Sequence, residues 1–218
     1  MNLDKSNINN IISQSCQTQR NWDISKEIPQ EDLDIILTAV TQCPSKQNIA
    51  HYNIHSITNR SLIESIHEHT AGFATGYSTD SYMETNSQTL ANLLLVFESK
   101  DISVKHDTIS YRSDETVMLV NGELSSNARD LIYRDRIMSV GIASGYANLI
   151  SNILGYKTGY CACFDPDPIR NILNATGDIL LMLGIGFGNP DISRLVHQQS
   201  GYVYPSKPKQ SIQVSWHK

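Results

Sequence analysis

The sequence predicts an α+β fold: a central sheet of four to five strands packed by helices on both faces, in one domain over residues 1–218. Three observations predict it. Apolar runs of strand length, such as Leu93-Leu94-Leu95-Val96-Phe97, alternate irregularly with segments of helical spacing. No internal repeat and no compositional break divides the chain. Its 218 residues, 40% of them hydrophobic, suffice for one sizeable core, alone or completed by a partner subunit.

The elements follow in order. Leu3, Ile8, Ile11 and Ile12 give residues 3–15 a loose helical spacing. Pro29, with Glu31 and Asp32 behind it, marks a second helix start, and Leu33, Ile36, Leu37 and Val40 share one face. That helix stops before Pro44. Tyr52-Asn53-Ile54-His55-Ser56-Ile57 alternates with period two and reads as a strand. Residues 59–70 form a short helix with His67-Glu68-His69 as its polar end, and 71–88 a loop rich in Gly, Ser, Thr and Tyr. Leu93–Phe97 is a buried strand. Residues 100–127 are polar and irregular, with a turn signal at Asn121-Gly122.

Residues 129–154 carry the strongest helix. Ile137, Val140, Ile142, Tyr146, Leu149, Ile150 and Ile153 spread over more than one face, which predicts burial inside the fold or between subunits. Small residues from Ser139 to Ala147 permit close approach of another helix, and Gly155 ends the segment. Thr158–Phe164 reads as a strand, with Cys161 and Cys163 pointing to one side. Residues 166–174 form a short helix opened by Asp165-Pro166. Ile179–Leu183 is a further buried strand, closed by the glycine-rich turn Gly184–Pro190.

With a net charge of −5 and its 17 Lys and Arg residues scattered, the chain does not resemble the basic face that nucleic-acid binding requires. No run reaches the length of about 18 apolar residues needed to span a bilayer, and no signal-peptide core opens the chain, so the expectation is a cytoplasmic protein. The four cysteines then read as free thiols. The spacing supplies no metal-ligand set, so no metal is expected. Against this acidic background Lys207-Pro208-Lys209 stands out, because the proline holds the backbone extended and lets both amines reach one phosphate.

Six segments, in this order, make the chain resemble the FMN-dependent nitroreductase family over roughly residues 5–216. Cys16-Gln17-Thr18-Gln19-Arg20-Asn21-Trp22 resembles an Arg-x-Ser-x-Arg/Lys-x-aromatic motif, with Thr18 at the hydroxyl position and Arg20 at the second basic one. Cys16 departs from it, standing where an arginine is expected. Pro44-Ser45-Lys46-Gln47-Asn48 resembles the Pro-Ser-x-x-Asn loop that lies along the flavin, though Ala50-His51-Tyr52 replaces the usual Gln-Pro-Trp. Asn86-Ser87-Gln88 resembles an Asn-x-Gln element whose amide suits the alternating donor and acceptor edge of the flavin pyrimidine. Gly141–Gly159 resembles the family's core helix and the start of the next strand. Thr158–Asp165 falls where backbone N–H groups, here those of Ala162 and Cys163, face flavin N5. Leu183–Pro190 resembles the Leu-Gly-x-Gly-aromatic strand end, and Lys207 and Lys209 match a basic pair that grips the cofactor phosphate.

The resemblance implies a nitroreductase-like fold with a mostly antiparallel sheet, and a homodimer with the long core helix at its interface. It implies FMN as cofactor, NADPH or NADH as electron donor, and ping-pong reduction of a small planar acceptor such as a nitroaromatic or quinone. Lys207, Lys209 and Thr18 then serve the phosphate, and Arg20 the charge at the flavin O2 side. Phe73, Tyr77 and Tyr82 in a lid at 71–85, with the segment 100–127, cover the substrate. Two alternatives stay open: a same-fold flavoenzyme that cleaves flavin or dehalogenates, and a flavin-binding protein without efficient turnover.

Overall fold

The computed structural model describes residues 4–72, 74–75, 82–83, 85–100, 119–120, 123–124, 126–188 and 209–217. Its main sheet has four strands: β1 (Tyr52–Ile57), β4 (Leu93–Ser99), β7 (Lys157–Cys161) and β8 (Ile179–Gly186), in the order β1-β4-β8-β7. Every neighbouring pair is antiparallel. β4 lies inside the sheet and all seven of its residues are buried. Leu93, Leu95 and Phe97 face one core, and Leu94 and Val96 the other, as strand periodicity requires.

The first core is completed by α2 (Gln30–Thr41) and α4 (Ser126–Ile153), the second by α3 (Arg60–His67) and α5 (Pro166–Leu173). α2 begins behind Pro29 and buries Ile36 and Val40 completely, so the spacing seen in the sequence is the face that packs. α1 (Lys5–Ser15) is capped by the Asp4 carboxylate on the Asn7 amide and buries no residue. α4 starts three residues earlier than its pattern predicts. Gly155 ends it with a positive φ of 94°, allowing the Tyr156 amide to reach the Ser151 carbonyl. Two small hairpins pair β2 (Ala74–Thr75) with β3 (Tyr82–Met83) and β5 (Leu119–Val120) with β6 (Glu123–Leu124). The second pair flanks the Asn121-Gly122 signal.

Two sequence expectations are corrected. The glycines after Leu183 do not form a turn there, because β8 continues through Gly186. A Cβ on Gly184 would lie 2.0 Å from the Gln88 carbonyl oxygen, and one on Gly186 2.0 Å from Asn92 Oδ1. These glycines let other chain segments press on the strand. Conversely, β7 ends at Cys161, three residues early. Cys161 is buried in the second core while Cys163 is exposed, so the two sulfurs do not share a strand face.

Among the described residues, no helix is long and apolar enough to cross a membrane.

Candidate functional site

β7 is an edge strand, and two segments converge on it. The first is the stretch from residue 17 to Trp22. Thr18 bridges Thr158, and the Gln19 amide donates to the Thr158 carbonyl at 2.8 Å. The Gln19 side chain accepts from the amides of Arg20 and Asn21 at 3.0 and 3.3 Å. Trp22 is buried, bridges Gly188 and donates its indole N–H to the Ser87 carbonyl at 2.8 Å. Thr18 and Arg20 are thus held half-buried between two anchors. Cys16 caps α1 in an exposed position, its thiol on the Ser13 carbonyl.

The second segment is a single 3-10 turn, Ser87–Thr89, with Asn86 as its cap. Asn86 Oδ1 accepts from the Gln88 amide at 3.1 Å, so the carbonyl half of this side chain serves its own turn. α3 clamps the turn from behind. His67 Nδ1 lies 3.2 Å from the Asn86 carbonyl, Nε2 lies 2.8 Å from Thr85 Oγ1, and Thr70 Oγ1 accepts from the Asn86 amide at 2.7 Å. Since a carbonyl only accepts, Nδ1 carries the proton and Nε2 receives one from Thr85. His67, expected as part of a polar helix end, is in fact buried.

The segments meet over a glycine pair. Gly159 and Gly184 are cross-strand partners. A Cβ on Gly159 would sit 2.6 Å from the Gln19 carbonyl oxygen and 3.1 Å from Gln88 Cβ. Gln88 therefore rests on a flat seat that any side chain would fill.

Beyond β7 the chain is exposed at Ala162 and Cys163. The Cys163 carbonyl accepts from the Ala71 amide at 2.8 Å. Burial, reinforced by the charge of Cys163, pushes the neighbouring Cys161 thiol up to about 11, against the hydrogen bonds from the Cys163 backbone and the Asn86 side chain. Cys161 is therefore an inert packing thiol at neutral pH.

Thr18, Arg20, Asn86, Gln88, Ala162 and Cys163 thus gather along one edge of the sheet. Pro44, Ser45 and Asn48 do not join them. They precede β1, the opposite outer strand, three strand spacings or about 14 Å across the sheet. Pro44 and Asn48 are exposed and Ser45 is half-buried. This loop is held in an unusual form: Asn48 and Ala50 have φ of 61° and 48°, and Ser45 Oγ accepts from the Ala50 amide at 3.0 Å. Lys209 is exposed. Lys207, Phe73 and Tyr77 lie outside the described residues; Tyr82 is in β3, paired with Thr75.

Sequence reasoning missed Gln19, the His67–Thr70 clamp, and the buried His51 and Asp135, the latter paired with the exposed Lys46. Nothing in the local pattern separates these from ordinary polar residues, because their burial arises from packing between distant segments.

Comparison with known proteins agrees with this architecture. No curated protein matches the sequence. Among solved structures, a nitroreductase with bound FMN from Bacteroides fragilis superposes with a TM-score of 0.62 at 16% identity, covering 99% of this chain and 100% of that one. A provisionally named nitroreductase, ydfN of Bacillus subtilis, gives 0.61 at 14% identity, with 93% and 96% covered. A provisionally named NAD(P)H:FMN oxidoreductase of Staphylococcus epidermidis gives 0.60 at 16%, with 92% of each chain covered. The sequence profile of the Nitroreductase family matches residues 15–187, from the end of α1 to the end of β8, and the chain belongs to that family.

Proposed function

We propose that this protein is an FMN-dependent oxidoreductase that takes electrons from NADPH or NADH and reduces a planar acceptor, acting as a homodimer in the cytoplasm. The observation that carries this reading is the exposed end of β7. There, the backbone at the exposed Ala162 and Cys163 stands beside the Asn86–Gln88 turn and the half-buried Thr18 and Arg20. The set fits FMN. The amides suit the N5 edge, the Asn86 NH2 group suits a pyrimidine carbonyl, and Arg20 suits negative charge near O2. Thr18 offers a hydroxyl toward the phosphate, which Lys207 and Lys209 neutralise in this reading. FMN, when bound, supplies the two-electron chemistry, alternating between donor and acceptor. The protein's residues bind it, orient it and tune its charge.

The separation of Pro44, Ser45 and Asn48 from this edge supports a site completed by a second copy of the chain. α4 carries the matching surface. Ile137, Met138, Ile142, Tyr146 and Leu149 are exposed on it, with Gly141 and Gly145 among them. Among the described residues outside the helix's own adjoining backbone, nothing lies within 4 Å of a Cβ added at either glycine. Glycine inside a helix costs roughly 0.5–1 kcal/mol relative to alanine, and no contact with the described residues requires it here. Close packing of a second α4 does.

The test is direct. Purified protein titrated with FMN is expected to turn yellow and quench flavin fluorescence, and NADPH or NADH is expected to bleach it anaerobically. A protein that takes up no FMN overturns the reading. Cys16, an exposed uncharged residue where a phosphate-binding arginine is expected, favours a second reading as a flavin carrier without turnover. Bleaching by dithionite but by neither nicotinamide would select it.

A further inference from the structure

An ion pair ties the Ser45–Asn48 loop to α4. Lys46 Nζ lies 2.7 Å from Asp135 Oδ2, and the aspartate side chain is wholly buried while the lysine is 37% exposed. Asp135 Oδ1 has no hydrogen-bond partner among the described residues, and Arg134 Nε lies 3.8 Å from it. His51, fully buried at the end of the same loop, has both ring nitrogens without a partner there. A pair selected for stability alone is not left in this state, because a buried charge with an unanswered oxygen costs more than an apolar replacement. The loop it holds is also strained, with two non-glycine residues in the left-handed region within three positions. The Ser45 Oγ bond to the Ala50 amide holds that conformation from within, and Lys46 to Asp135 links the turn to another element.

We propose that Lys46 and Asp135 form a clamp that positions the Ser45–Asn48 turn for cofactor contact. This rests on the reading above, in which that turn lies along FMN. Asp135 is a positioning residue: it acts through Lys46 and touches no reacting atom. Its burial inside α4, the helix assigned to the subunit contact, fixes the loop relative to the partner's β7 edge, where the flavin of that reading sits.

The test is FMN affinity by fluorescence titration, with thermal melting beside it. Lys46→Met leaves Asp135 uncompensated and is expected to lower the Tm and weaken FMN binding about tenfold, the scale on which misplaced supporting groups act. Lys46→Met with Asp135→Leu removes the buried charge, so the Tm is expected to recover while FMN binding stays weak. Lys46→Arg is expected to keep both. If the single variant fails to fold, the double variant carries the measurement. Recovery of both properties in the double variant makes the pair purely structural and overturns the clamp. Asn48→Gly removes a proposed flavin contact and tolerates the positive φ. If it weakens FMN binding while the Lys46 variants do not, the clamp alone falls. If neither change affects FMN, the placement of the loop on the flavin falls with it.

Discussion

Glu98 is a buried carboxylate whose charge is answered on every side. One oxygen accepts from the Thr176 and Gly177 amides at 2.7 and 2.6 Å and from Thr176 Oγ1 at 3.3 Å; the other lies 2.9 Å from His55 Nε2. Burial by itself raises its pKa, but the Gly177 amide, His55 and the Thr176 amide outweigh this and hold it below its ordinary value near 4.5. The folded state therefore binds this proton less readily than the unfolded chain. The stability it contributes is complete above about 4.5 and is lost as pH falls through the folded value. His51 behaves differently. Burial lowers it below the ordinary 6.5, Asp135 opposes this, and Lys46, Arg136 and Lys100 reinforce it. Its contribution is complete above about 6.5 and declines as pH falls from there toward the folded value. The urea midpoint is expected to fall in two steps on acidification. His51→Leu should remove the upper step. Glu98→Gln should blunt the lower one and cost about 2 kcal/mol at neutral pH. A single step in the wild-type profile would contradict the assignment.

At the scale of elements, the glycine seat on β7 and β8 decides where the Asn86–Gln88 turn can sit. Gly184→Ala places a methyl 2.0 Å from the Gln88 carbonyl oxygen, which is backbone and cannot swing aside. A loss of about 2–3 kcal/mol is expected in urea unfolding, together with weaker FMN binding, because the turn must lift off the sheet. α4 makes the opposite case, since its glycines meet open space among the described residues. Gly145→Leu is expected to leave the subunit folded but to shift its mass by light scattering from dimer to monomer. A dimeric variant would remove α4 from the interface.

For the whole molecule, dimer and flavin become linked if the site is shared between opposite sheet edges. Saturating FMN at a hundredfold excess over its Kd should stabilise the wild type by about 2.7 kcal/mol, and the Gly145→Leu monomer should lose most of that gain. Local pattern made many elements legible. β1 occupies the predicted residues, α2 starts behind Pro29, and α5 runs from Pro166 to Leu173, because period, caps and prolines act over a few residues. The glycines after Leu183 misled, since a glycine permits a turn and a close approach equally. The motifs at Thr18, Arg20, Asn86, Gln88, Ala162 and Cys163 were readable one by one, but their meeting on β7 was not.

What the sequence determined by itself is the set of elements and the chemical types available to a site, since both rest on short-range periodicity and side-chain identity. What only the tertiary structure decided is which of those groups become neighbours. Strand order put Pro44, Ser45 and Asn48 across the sheet from Thr18 and Arg20. Helix packing buried Asp135 against Lys46. Both outcomes depend on long-range pairing, which follows from burying two faces of one sheet at once and leaves no mark on any single stretch of chain.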